Sequence, residues 1–205
     1  MMRLLTILLF LLLAGTGRCQ QSKQVFYPSG QLKAEGSEVN GVKEGVWTFY
    51  FLNGKKNSIE VYQRGVLHGE VQYFYADESM QARETWRNGV TQDSAWYFHP
   101  NGKLHRKGIY REGQYAGQWY YFFDNGKRER VVSYVNGLPE GETLVYNEKG
   151  VLVQKGFYHQ GQEEGEWQFY SDEGEPAFTG SYHEGKETGV WYKFEKGKKK
   201  VYKKY

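Results

Sequence analysis

Five histidines, a pair of repeated glutamates and a single cysteine are the residues of this 205-residue chain whose types could do chemistry. His68, His99, His105, His159 and His183 would ligate a metal or carry protons if they converged. His159 and His183 are 24 positions apart, as are Glu140 and Glu164. On a β-array of that period such residues lie two strands apart, or about 10 Å. Zinc holds each imidazole nitrogen at about 2 Å, so that histidine pair cannot share an ion. The glutamate separation approaches that of an inverting glycosidase, whose two carboxylates leave room for a water. Any carboxylate repeated on a ladder produces the same spacing, and both are expected to be solvated turn charges. No serine stands in a nucleophile elbow, and no glycine-rich stretch has the layout of a phosphate loop. Gly41 and Gly45 have Gly-x-x-x-Gly spacing but enclose Lys43-Glu44, where a membrane dimer motif needs an apolar helix. The sequence points to no catalytic residue, metal site or cofactor.

Cys19 follows a segment with the plan of a secretory leader. A basic Arg3 precedes an apolar run from Leu4 to Leu13, which breaks at Ala14-Gly15-Thr16-Gly17. The run is too short to span a bilayer as a helix. Small residues suit cleavage after Gly17 or after Cys19, and both remain open. Cys19 admits a second reading as a lipid attachment site, although Arg18 stands where such sites carry a small residue. No other cysteine exists, so an internal disulfide is excluded. Loss of Arg3 and Arg18 with residues 1–19 would reduce the 27 Lys and Arg by two, against 24 Asp and Glu. A chain so near neutrality has no global field for nucleic acid. The expected location is outside the cytoplasm: periplasm, outer membrane or extracellular space, with no transmembrane segment in the mature chain.

The elements that carry all these residues are set by an internal repeat. Gly41, Gly65, Gly89, Gly113, Gly137, Gly161 and Gly185 fall at steps of 24. A second glycine series starts at Gly30, with Glu78 substituting once, and a third at Gly45, with Asp93 substituting once. Aromatic columns keep the same step. Tyr50, Phe74, Phe98, Phe122, Tyr146, Tyr170 and Phe194 never lose the ring, and Tyr62, Trp86, Tyr110, Tyr134, Tyr158 and Tyr182 match in six units. A third column, Trp47, Trp119, Trp167 and Trp191, is interrupted by Val71, Ala95 and Thr143. Residues 27–194 therefore form seven units of 24, preceded by a lead-in at 20–26 and followed by a lysine-rich cap at 195–205.

Each unit reads as a β-hairpin. Trp47-Thr48-Phe49-Tyr50 has the β-branched and aromatic content of a strand, with alternate residues on opposite faces. Asn53-Gly54, Asn101-Gly102 and Asn125-Gly126 are expected to supply the positive φ angles of two-residue turns, and Asn40-Gly41, Asn88-Gly89 and Asn136-Gly137 to begin the next reversal. Aromatics make up 18% of the chain against 39% for all hydrophobics, and mean hydropathy is −0.77. That balance suits a thin, turn-rich array rather than a thick core. The expected fold is all-β, an elongated, twisted antiparallel meander of seven hairpin repeats with a C-terminal cap strand, stabilised between nearest neighbours.

Tyr27-Pro28-Ser29-Gly30-Gln31-Leu32, Asn40-Gly41 and Gly45-Val46-Trp47-Thr48-Phe49-Tyr50 resemble the bacterial variant of the MORN repeat. The pattern returns in Gly102-Lys103-Leu104, in Gly117-Gln118-Trp119 and in Gly165-Glu166-Trp167-Gln168-Phe169-Tyr170, so the resemblance covers residues 27–194. Proteins with this repeat are grouped under a YwqK-type antitoxin label, which implies protein binding and no catalytic site. The leader departs from a cytoplasmic antitoxin. A second likeness joins Gly117 to Lys127 with the aromatic hairpins of choline- and glucan-binding wall modules.

These readings converge on an exported protein-binding or scaffold module of the cell envelope, with surface or wall glycan as the alternative ligand. The uninterrupted ring column is expected to be the packed one. The interrupted column of Trp47, Trp119, Trp167 and Trp191 is the candidate binding face, because a ring there is optional. Lys196, Lys198, Lys199, Lys200, Lys203 and Lys204 are expected to guard the terminal strand edge, with contact to an anionic surface as the functional alternative.

Overall fold

A computed structural model describes residues 20–205. The expected leader at 1–19, with its cleavage sites and Cys19, lies outside these residues. The described chain is a single open antiparallel meander of 17 strands, with no helix among the described residues. The lead-in is itself a strand, β1 (Gln20–Phe26), followed by β2 (Leu32–Val39), β3 (Val42–Tyr50) and β4 (Lys56–Gln63). The second unit breaks its outgoing strand at His68 into β5 (Val66–Leu67) and β6 (Gly69–Phe74). Regular hairpins resume with β7 (Met80–Arg87), β8 (Val90–Phe98), β9 (Leu104–Arg111), β10 (Gln114–Phe122), β11 (Arg128–Val135) and β12 (Leu138–Tyr146). They continue through β13 (Leu152–His159), β14 (Gln162–Tyr170), β15 (Pro176–His183), β16 (Lys186–Glu195) and the cap strand β17 (Lys198–Lys204).

Strands pair in sequence order, with β5 and β6 both pairing with β4, so β1 and β17 are the two edges. Both are exposed along their whole length. Lysine on an edge strand opposes pairing with another sheet, and β17 carries five such residues, Lys198, Lys199, Lys200, Lys203 and Lys204.

The two turns of a unit differ in kind, and their order corrects the sequence reading. At Asn53-Gly54 only the glycine has positive φ, 82°. Phe51 and Lys55 close the hairpin through Phe51 N–H to Lys55 C=O at 2.8 Å, while Gly54 N–H donates to Phe51 C=O at 2.9 Å. This is a type I turn ending in a left-handed glycine, with the pairing shifting between Phe49 and Tyr50. Asn53 is there for its side chain: Oδ1 accepts from Lys55 N–H at 3.1 Å. The two-residue turns are the other series. Asn40 and Gly41 both have positive φ, 54° and 75°, as a type I′ turn requires. Arg64, Glu112, Gln160 and Glu184 take the same left-handed φ before their glycines.

Candidate functional site

One face of the sheet holds a row made from two positions per unit. On the outgoing strand stand Trp47, Val71, Ala95, Trp119, Thr143, Trp167 and Trp191. Beside them on the incoming strand stand Gly36, Glu60, Glu84, Gly108, Val132, Gly156 and Gly180. All four tryptophans are buried, at most 5% exposed. Each lies flat on the glycine of its own unit. A Cβ at Gly36, Gly108, Gly156 or Gly180 would sit 2.1 to 2.4 Å from the nearest indole atom. Where the incoming strand carries a side chain instead, the outgoing residue is small: Val71 beside Glu60, Ala95 beside Glu84, Thr143 beside Val132. The interruptions in the tryptophan column are therefore steric. A ring and a side chain cannot share the space.

The rings cover one another, since the described residues form a single sheet. Trp119 lies 5.1 Å from Tyr110 and 4.3 Å from Tyr115, centroid to centroid, and Trp167 lies between Tyr158 at 5.3 Å and Tyr182 at 5.7 Å. Edge contacts of this kind suit the quadrupole of the rings. Trp47 Nε1 donates to Ser37 C=O at 2.9 Å and Trp119 Nε1 to Ile109 C=O at 3.0 Å. In the two units with an acidic residue, carboxylates fill the row. Ser58 Oγ and the Tyr62 hydroxyl both donate to Glu60; Trp86 Nε1, at 3.0 Å, and the Tyr97 hydroxyl both donate to Glu84.

In this geometry the tryptophans of the expected binding face lie buried. Trp47, Trp119, Trp167 and Trp191 present no free ring to a ligand, so neither a glycan nor a protein can stack on them as they stand. The uninterrupted column, Tyr50 to Phe194, is only half-buried and faces the other side. A ring can recur without being the deepest residue, since exposure on an open sheet is set by what the neighbouring strand allows to lie over it.

The accessible chemistry of the tryptophan face belongs to tyrosines and arginines. The Arg106 guanidinium stacks 4.1 Å from the Tyr97 ring and that of Arg130 4.3 Å from Tyr121. Tyr97 and Tyr110 hydroxyls are 3.0 Å apart, and those of Tyr121 and Tyr134 3.3 Å. Burial raises the pKa of Tyr97, Tyr110 and Tyr121, that of Tyr110 to about 12, so they remain neutral donors. Lys43 is enclosed by Trp47, Phe49 and Tyr62 with ring centroids 4.5 to 4.8 Å from its ammonium, and this burial lowers its pKa.

Four of the five histidines and both glutamates singled out by type are brought together in pairs, while His68 stands in the break between β5 and β6. His159 Nδ1 is 3.0 Å from Glu140 Oε1, and His183 Nδ1 is 3.1 Å from Glu164 Oε1. The other oxygen of each glutamate accepts a backbone N–H from the following turn, Gln160 at 2.8 Å and Glu184 at 3.0 Å. Glu44 does the same for Arg64 N–H at 2.7 Å. These carboxylates hold one hairpin turn against the next; the backbone bond, then the histidine, lowers the pKa of Glu140 and Glu164. His99 and His105 lie with ring centroids 4.5 Å apart and planes tilted by 45°, and His99 Nε2 lies 2.8 Å from Phe122 C=O. In the cap, Glu195 bonds Lys193 and Lys200 at 2.6 Å each, which holds its pKa at about 2.

Reading residues by type missed Gly36, Gly108, Gly156 and Gly180. Their signal was present, since a glycine occurs at that position in each unit that has the tryptophan and in no other.

A family model, the MORN repeat variant, matches residues 43–64, 116–136 and 139–160. No curated protein sequence matches the chain. Among solved structures, crystal structures of TcdB2-TccC3-Cdc42 and TcdB2-TccC3 are each 11% identical and cover 86% of this chain, with a TM-score of 0.20. This chain spans only 13% and 14% of theirs. A porin-like protein from Bacteroides uniformis ATCC 8492 is 10% identical, covers 89% of this chain and 93% of its own, and has a TM-score of 0.21.

Proposed function

We propose that this chain, which carries MORN repeat variants, is a non-catalytic protein-binding module that acts outside the cytoplasm, in the cell envelope. The observation that carries the reading is the surface over the buried tryptophan row. Tyrosines recur there at the repeat spacing with arginines stacked against them, Arg106 on the half-buried Tyr97 and Arg130 on the buried Tyr121. Tyrosine and arginine are the residues enriched in protein interfaces, because they bring large contact area together with directional polar groups. Fixing them on paired strands lowers the side-chain entropy lost on association. Export is supported by the Leu4 to Leu13 run and the small residues after it.

The test uses the full chain with its own leader and a C-terminal tag, expressed in its native host. Intact-mass analysis is expected to show loss of the first 17 to 19 residues, and affinity purification from envelope extracts to recover a protein that binds the purified chain directly. Full-length chain in the cytoplasm, with its binding protein there, would replace this reading with a cytoplasmic antitoxin-like one.

A further inference from the structure

The buried row is filled by the chain itself in six of its seven units. Trp47, Trp119, Trp167 and Trp191 occupy four, and the Glu60 and Glu84 carboxylates, held by their tyrosine, serine and tryptophan donors, occupy two. The fifth unit has neither. Its row residues are Val132 and Thr143, both buried, and above them opens a hollow of about 280 Å³. Its walls reproduce those around the indole of Trp167. That ring is flanked by Tyr158 and Tyr182 and stacks on Phe169. The equivalent residues one unit earlier, Tyr134, Tyr158 and Val145, line the hollow.

Arg130 and Gln154 add polar groups to it. Arg130 stacks on Tyr121, has its Nε buried without a hydrogen-bond partner, and forms no ion pair among the described residues. Glu129 also lines the hollow. A guanidinium in this position offers parallel N–H donors that match a carboxylate.

We infer that the hollow over Val132 and Thr143 is a docking slot for an aromatic side chain of the protein partner, with a carboxylate next to that side chain meeting Arg130. The ring completes from outside the row that the other units complete from within. It rests on Val132 and Thr143, so it sits higher than an indole lying on glycine. Tyr134 and Tyr158 flank it as Tyr158 and Tyr182 flank Trp167. This inference rests on the protein-binding reading above and names the site at which it acts.

The experiment titrates the purified full chain with the blocked peptide acetyl-Asp-Trp-Asp-amide by isothermal calorimetry. Saturable binding is expected, weakened about tenfold by Arg130→Gln, the size of one charge-assisted contact. Replacing the peptide's Trp by Ala should abolish binding. The decisive variant is Val132→Gly with Thr143→Trp, which gives the fifth unit the glycine and indole of its four relatives. It should fold with an undiminished thermal midpoint and lose the peptide. Undiminished binding by the folded variant would overturn the slot, as would tighter binding of free indole-3-acetate than of the peptide, which would make the occupant a small aromatic acid. A partner captured from the envelope equally by both proteins would overturn the slot while leaving the protein-binding reading in place.

Discussion

Trp119 and Phe122 stand three positions apart on β10, on opposite faces, and their environments set different costs for losing a ring. Trp119 is fully buried, lies on Gly108 and donates to Ile109 C=O, so its removal leaves a cavity and an unmatched carbonyl. Trp119→Ala is expected to destabilise the fold by about 3 to 5 kcal/mol. Phe122 is half-buried, and Phe122→Ala should cost about 1 kcal/mol, part of what a fully buried side chain contributes. Urea unfolding of the two variants decides the order; equal midpoints would show that the tryptophan row is not the packed core. The ring columns themselves are plain in the sequence. Which one is deepest is not, because recurrence of a residue type reports periodicity, and depth depends on the side chains of the adjoining strand.

At the scale of the hairpin, the carboxylate at Glu164 links two turns. It accepts Glu184 N–H and pairs with His183, whose pKa rises because of that partner. Two stability contributions follow. The depressed glutamate pKa gives a contribution present above the unfolded value, about 4.3, and lost as pH falls through the lower folded value. The raised histidine pKa gives one present below about 6.5 and lost as pH rises through the higher folded value. The thermal midpoint of Glu164→Gln should therefore fall furthest below that of the unmodified chain between about pH 5 and pH 6.5. The gap should narrow, without closing, as pH rises through that higher histidine value, where the imidazolium is lost and the backbone bond remains. A pH-independent gap would remove His183 from the linkage. The turn residues were legible as turns from their Asn-Gly pairs. Which turn was two-residue was not, since Asn serves either a positive φ, as at Asn40, or an Asx contact, as at Asn53.

Across the whole molecule, each strand pairs only with its neighbours, so a unit can be removed if the row and the turns stay in phase. Deleting residues 147–170 would set Gly180 beside Thr143 in place of Gly156, and Trp191 would still cover that glycine. The shortened chain is expected to keep its β-sheet circular dichroism and a cooperative transition. Deleting residues 147–158, half a period, would put an outgoing strand where an incoming one belongs and should unfold the C-terminal part. Equal tolerance of both deletions would show that 24 residues are not the structural unit.

The period and the all-β class were readable along the chain, because turn glycines and alternating aromatics are local requirements of backbone and pleat. The sequence also contained the glycine–tryptophan match, since two residues that contact across one hairpin keep a fixed offset in every copy. Folding settled which ring column is buried, that Glu140 and Glu164 brace successive turns, and that a hollow lies over Val132 and Thr143 of the fifth unit. Those properties belong to strands lying side by side. A side chain's exposure on a one-layer sheet is fixed by the residues across the pairing, and no periodicity along the chain records how much space they leave.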